Sequence, residues 1–209
     1  MDHLTMPIAA ETARLNEDAW VYQAQTGDRQ AFCQLVNYYQ RPIYHLCYRM
    51  LPDAMTAEDA AQEVFLRAYL KLDSYNNSYK FSTWLYAIAT HYCLDWLKRR
   101  RLKLISWEDV ATEQPVTMDT TPQPEKSLLK AEEVEAVQNL LQTLKPDQRA
   151  LVILKYWSDL SYEEIGLIFG LTTSAVKSKL FRTRRTLART AVRHCSPVVP
   201  WTRPVPVAG

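Results

Sequence analysis

Ser174, Ser178, Arg182, Arg185 and Arg189 follow one another at intervals of four, four, three and four residues. On a helix turning about 100° per residue they share one side with Phe181. Lys177 and Arg184 run along a flank, and Ala175 sits beside the first serine. Val176, Leu180, Thr183 and Leu187 form a narrow stripe on the other side, so that side packs inward. The outward set offers hydrogen bonding and positive charge. Arginine forks match guanine edges or phosphate oxygens, and serine hydroxyls reach base edges or phosphates. The chemistry is recognition of duplex DNA.

A preceding short helix and a tight turn position this face. Ser161 can cap that helix while Glu164, three residues on, reaches back to it, the capping-box arrangement. Tyr162, Ile165 and Phe169 supply its apolar side. Gly170 ends it where a left-handed residue is needed, and Thr172 or Thr173 caps the next helix. A basic amphipathic helix alone is usually solvated surface. With the capping box, the glycine turn and a segregated polar face, the unit reads as a helix-turn-helix whose second helix enters the major groove.

The rest of the chain must carry and aim that unit. It has 209 residues, 47% of them hydrophobic, enough for one or two small cores. A net charge of +2 gives no bulk basic signal, but basic residues cluster at 98–103 and 177–189. Leu, Ala, Glu, Gln, Lys and Arg dominate the periodic stretches, which favours an all-α fold. Cys33, Cys47, Cys93 and Cys195 form no CxxC pair, so reduced, packed thiols in a cytoplasmic protein are expected. The first residues lack the basic start and apolar run of a signal peptide, and no apolar run reaches membrane-spanning length.

Read in order, residues 1–17 form a loose tail and a first domain spans 18–103. Its first helix stops at Gly27. A second runs from Arg29 to Leu51, and Pro42 should kink or divide it. Thr56 is expected to cap a third, Ala57 to Leu72, with Ala61, Val64, Phe65, Ala68 and Leu72 inward. Its other face carries Asp59, Gln62, Glu63, Leu66 and Leu70. A solvated helix should not turn two leucines outward, so either another helix or a partner protein covers them. A polar, aromatic loop follows over 73–79, and then a helix from Ser82 to Arg101. Phe81, Leu85, Ile88, Tyr92 and Trp96 make its core stripe, with Thr83, Tyr86, Ala87 and Thr90 opposite. It ends in Lys98, Arg99, Arg100 and Arg101, which suit the helix dipole or a nucleic-acid backbone.

Residues 104–126 hold three prolines and no helical stripe, and read as a flexible linker. A second domain spans 127–194, with helices over Ser127–Thr143 and from Pro146 to near Trp157 ahead of the helix-turn-helix. Residues 195–209 form a proline-rich tail. The expected fold is all-α: two small helical domains joined by a flexible linker.

Three blocks now carry a resemblance: EDAAQEVFLRAYLKL, YKFSTWLYAIATHYCLDWLKRRR and LSYEEIGLIFGLTTSAVKSKLFRTRRTL. In this order and spacing they closely resemble a bacterial sigma factor of the extracytoplasmic-function group, over about residues 18–193. The resemblance implies sigma regions two and four, RNA polymerase core (its clamp helices and flap) and promoter DNA as partners, and in many members an anti-sigma protein. It implies no cofactor. Carried over by position, Asp59, Gln62, Glu63, Leu66 and Leu70 dock on the clamp helices. Tyr75, Asn76, Asn77, Tyr79, Lys80, Phe81, Thr83, Trp84 and Tyr86 handle the unpaired minus-ten element. Lys98, Arg99, Arg100 and Arg101 lie along the DNA backbone. Ser174, Ala175, Lys177, Ser178, Phe181, Arg182, Arg184 and Arg185 read the minus-35 element. The proline-rich tail departs from the short members of the group.

Two other readings compete. A helix-turn-helix repressor, usually a dimer on palindromic sites, leaves the 57–72 and 75–101 blocks without a role. Enzyme chemistry finds only His91 near Cys93 and His194 beside Cys195, spacings that suit no common zinc site. No glycine-rich phosphate loop or carboxylate pair stands out.

Overall fold

The computed structural model describes the backbone over residues 8–107 and 125–194, and side chains over 16–103 and 134–191. The first seven residues, most of the expected linker and the proline-rich end with Cys195 lie outside the described residues. The described residues form eight α-helices and one 3-10 turn, with no strand among them. The first domain holds α1 (Ile8–Gln25), α2 (Arg29–Met50), α3 (Ala54–Leu70), a 3-10 turn (Leu72–Ser74) and α4 (Phe81–Trp107). The second holds α5 (Glu125–Gln142), α6 (Pro146–Tyr156), α7 (Tyr162–Phe169) and α8 (Thr173–His194).

Several boundaries differ from the sequence reading. Helix α1 begins at Ile8, inside the expected tail, where alanine, glutamate, arginine and leucine favour helix. Helix α2 is one helix rather than two. Pro42 removes a backbone donor, but Tyr39, Ile43, Leu46 and Cys47 are buried around it, and that packing outweighs the loss. The cap of α3 is Asp53, not Thr56. Its Oδ1 accepts from Thr56 N at 2.7 Å and its Oδ2 from the Thr56 hydroxyl at 2.8 Å. Helix α4 continues past Arg101 to Trp107, into the expected linker. Cys47 and Cys93 are buried free thiols 3.8 Å apart, whereas Cys33 is exposed rather than packed.

Helix α2 is the hub. It packs on α1, α3 and α4, and on α5 and α6 of the second domain. Helix α4 also touches α6 and α7. The two domains therefore share an interface, and most of the side of α4 that lies opposite its expected core stripe is covered too. Thr83, Tyr86 and Thr90 are 4%, 8% and 1% exposed. A helix wheel finds the most apolar stripe, but it cannot show that a neighbour covers a second, more polar one.

Arg149 on α6 is the main tie. It is buried, and its guanidinium donates to Leu141 O at 3.0 Å, Gln142 O at 3.2 Å and Leu144 O at 3.3 Å, closing the end of α5. It also reaches across the domains to Met50 O at 2.6 Å, at the end of α2. These carbonyls are the negative ends of two helices, which offsets the cost of burying the charge. Burial lowers the guanidinium below its ordinary range. Gln138 and Gln142 of α5 donate to Leu51 O at 3.2 and 3.1 Å beside it.

Candidate nucleic-acid interface

The helix-turn-helix is built locally. Ser161 Oγ accepts from Glu164 N at 3.1 Å, and Glu164 Oε2 accepts from Ser161 N at 2.7 Å, so the expected capping box is present. Gly170 takes the left-handed conformation at φ 63°. Leu171 N then donates to Gly166 O at 2.8 Å. A Cβ on Gly166 would stand 2.6 Å from Leu171 O, so the turn needs glycine there too. The wheel alone did not single out this second glycine. Thr172 Oγ1 accepts from Ala175 N at 3.3 Å, which settles the cap of α8 on Thr172.

Helix α8 buries Val176, Leu180 and Thr183, with Leu187 half-buried. The hydroxyl of Thr183 donates to Lys179 O at 2.9 Å, which lets a polar residue sit in the apolar stripe. Burying each of Val176 and Leu180 contributes about 1.5–3 kcal/mol, enough to fix the helix rotation. That rotation exposes Ser174, Lys177, Ser178, Phe181, Arg182, Arg184 and Arg185, while Ala175 is half-buried. The Arg185 guanidinium lies 5.9 Å from the Phe181 ring, and Lys177 Nζ lies 5.3 Å from the Tyr162 ring of α7. Both cations lie on the exposed side of α8, and among the described residues neither forms an ion pair with an acid.

The second face is in the first domain. Tyr75, Asn76, Tyr79, Thr83, Trp84 and their neighbours line a cavity of about 420 Å³. Phe81 is not on its wall: it is 2% exposed, with Tyr75 at 5.5 Å and Trp84 at 5.5 Å between ring centres. It supports the cavity from the core. Tyr75 is also mostly buried; burial, with Glu17 and Asp18 nearby, pushes its hydroxyl up to about 12. The hydroxyl therefore stays protonated and donates to Tyr79 O at 2.7 Å, closing the loop. Asn76 Oδ1 accepts from Ser78 N at 3.2 Å, while Asn77, Tyr79 and Lys80 are exposed.

Gln25, at the end of α1, holds this loop from behind. Its amide nitrogen donates to Leu72 O at 3.0 Å and Tyr75 O at 2.8 Å, at the start of the 3-10 turn and just past its end. Neither Gln25 nor the cover over the cavity was visible in the sequence. Leu167 and Ile168 of α7 complete the cavity, and Glu164 Oε1 accepts from Lys80 Nζ at 2.9 Å and Thr83 Oγ1 at 3.2 Å. Burial would raise the Glu164 carboxyl, but hydrogen bonds from Lys80 and Ser161 prevail and hold it at about 2. Tyr86 lies deeper, in a second interdomain cleft with Arg49, Ile153, Trp157 and Ser158.

Two further surfaces remain open. On α3, Leu66 and Leu70 are 53% and 72% exposed beside exposed Asp59 and Gln62. No helix of the described chain covers them, so the first of the two sequence alternatives fails among the described residues. Glu63 is half-buried and pairs with Arg67 at 2.7 Å. At the far end of α4, Lys98, Arg99, Arg100 and Arg101 are exposed. Arg99 and Arg100 border a cleft with Tyr92, Trp96 and Lys103, and Arg100 lies 5.4 Å from the Trp96 ring. Among the described residues no helix is long and apolar enough to cross a membrane, and no group of acids, histidines and cysteines is placed to hold a metal ion.

Known proteins share this arrangement. The Sigma-70 region 2 family matches residues 35–103 and Sigma-70, region 4 matches residues 134–187. The ECF RNA polymerase sigma factor SigW of Bacillus subtilis is 36% identical over 174 residues, covering 81% of this chain and 93% of that protein. The fold is similar to CnrH, solved with the cytosolic domain of CnrY, at a TM-score of 0.64 and 18% identity, covering 86% of this chain and 99% of that one. It is also similar to the sigma factor RpoE solved with the anti-sigma factor NepR from Bartonella quintana, at a TM-score of 0.61 and 21% identity, covering 79% and 98%. With both regions matched in order, and with that identity to SigW running across most of its length, the chain belongs to the extracytoplasmic-function group of the sigma-70 family.

Proposed function

We propose that the chain directs core RNA polymerase to a set of promoters and helps open them, with no covalent chemistry of its own. The rotation of α8 carries this reading: a buried Val176–Leu180–Thr183 stripe turns serines and arginines outward in an exposed row. That row reads the upstream duplex and positions the complex. The Tyr75–Tyr86 segment holds bases of the unpaired downstream strand, offsetting an unstacking cost of a few kcal/mol per base. Lys98, Arg99, Arg100 and Arg101 follow the phosphates. Asp59, Gln62, Glu63, Leu66 and Leu70 dock on core polymerase, which accounts for the two exposed leucines. The factor acts in the cytoplasm, where polymerase and genome are, and a protein of the anti-sigma type is a further partner, by likeness to the NepR-bound factor.

The test is transcription. Core polymerase with the purified chain is given genomic DNA, and the RNA starts are sequenced. Starts clustered downstream of a shared two-part motif are the expected result. A repressor would instead bind duplex sites tightly alone and leave the starts of core polymerase unchanged, and that outcome would sink the proposal.

A further inference from the structure

Arg41, His45 and Arg49 stand four residues apart on α2, so they lie one above another on a single face. All three line the cleft of about 440 Å³ that Tyr86 borders, together with Trp157, Ser158 and Asp159 from the turn after α6. None of the three cations belongs to the surfaces proposed for DNA or polymerase. Among the described residues the ion pairs are Arg67–Glu63 and Lys80–Glu164, so no acid neutralises the row. Asp159 shares the cleft without closing an ion pair on it. Arg49 Nη1 donates to His45 O at 3.1 Å, which leaves most of the five guanidinium N–H donors without an acceptor among the described residues. The same guanidinium lies 5.0 Å from the Trp157 ring, which holds it at the cleft. Partial burial, and after it Arg49 and Arg41, push the His45 imidazole below its ordinary range. Cations that converge on a concave site and repel one another are stabilised there by an anion.

The rest of the lining narrows the choice of anion. Trp157 is 44% exposed and offers ring surface to a flat apolar group. The Asp159 carboxylate accepts hydrogen bonds from hydroxyls, as acidic residues do from ribose. It also repels a continuous run of phosphates, which favours one nucleotide over a strand. A cleft of this volume falls in the range of small-molecule sites. We propose that it binds a ribonucleoside triphosphate, with the phosphates on Arg41, His45 and Arg49, the base against Trp157 and the ribose hydroxyls on Asp159. The site is separate from the strand pocket, and the proposal does not depend on the promoter reading.

Titration calorimetry of the full chain with ATP, GTP and inorganic tripolyphosphate tests this. ATP or GTP is expected to bind with a Kd below about 1 mM, and tripolyphosphate more weakly. Arg41 and His45 are exposed, so the double variant Arg41→Gln and His45→Gln keeps the fold, and it should weaken ATP roughly tenfold. Lys71→Gln with Lys145→Gln removes exposed charge outside the cleft and should leave ATP affinity unchanged. The parent chain should prefer ATP to its 2′-deoxy form. Asp159→Gly suits the φ of 50° at that position and should erase the preference. Absence of binding at millimolar ATP and GTP overturns the proposal. So does equal weakening by the two lysine changes, or tripolyphosphate binding as tightly as ATP, which would mean a bare anion site. A single-stranded oligonucleotide that displaces ATP mole for mole would make the row a nucleic-acid surface and would overturn it as well.

Discussion

The two surfaces proposed to meet DNA differ in what covers them. On α8, Phe181 is 61% exposed and the arginines stand clear of the body. On α4, Thr83 is 4% exposed beneath α7. Both surfaces are built from polar and aromatic residues, so composition does not explain the contrast; the packing of one domain on the other does. On the proposed reading the open surface meets duplex DNA, which is the form the genome offers. The covered one suits a strand that exists only after melting.

The strongest way to break this contrast is Arg149→Met. It leaves the carbonyls of Met50, Leu141, Gln142 and Leu144 with a lost donor in a buried setting, at about 3 kcal/mol or more. Denaturant unfolding should show that loss, and energy transfer should show the domains apart. A stable, still closed variant would mean that the tie is unimportant. Next comes the paired change Leu66→Asp and Leu70→Asp. Both side chains are exposed, so the melting temperature should hold. Affinity for core polymerase should fall on the order of 100-fold, from lost apolar burial and two new charges. An unchanged affinity would move the docking surface elsewhere.

Smaller effects sharpen the contrast at its open end. Arg182→Ala should cost roughly 1–3 kcal/mol and relax choice at one base pair of the upstream element. Lys177→Ala or Arg184→Ala should weaken all sequences alike and lower the salt slope by about one unit. A binding series over single-base variants at several salt concentrations distinguishes the two patterns, and a uniform loss for Arg182→Ala removes it from the base-reading set. The smallest effect is expected at Gln25→Ala, which frees Leu72 O and Tyr75 O at about 1 kcal/mol. It should slow opening of duplex promoters and spare pre-melted ones. Equal loss on both templates would show that Gln25 supports the domain generally rather than the loop.

The sequence by itself determined the helix-turn-helix. Ser161 and Glu164 cap each other three residues apart, Gly170 takes its left-handed turn, and the stripe from Val176 to Thr183 recurs at helical spacing. All of these are near-neighbour interactions, and a linear string records neighbours. It also determined the outward leucines of α3, because their spacing conflicts with a solvated face. Only the tertiary structure decided what lies against what. Thr83 meets Glu164 across 81 residues, and Arg149 meets Met50 across 99. The wheel put Thr83 and Tyr86 opposite the core stripe because it measures hydrophobicity around one helix and knows nothing of the helix that packs there. Pro42 is expected to kink or divide α2, and the division fails for the same reason: its missing N–H is local, while the buried residues that keep α2 whole are held by α1, α3 and α4. Contacts between distant segments depend on shape and on how many groups are satisfied at once, and no periodicity along the chain encodes that choice.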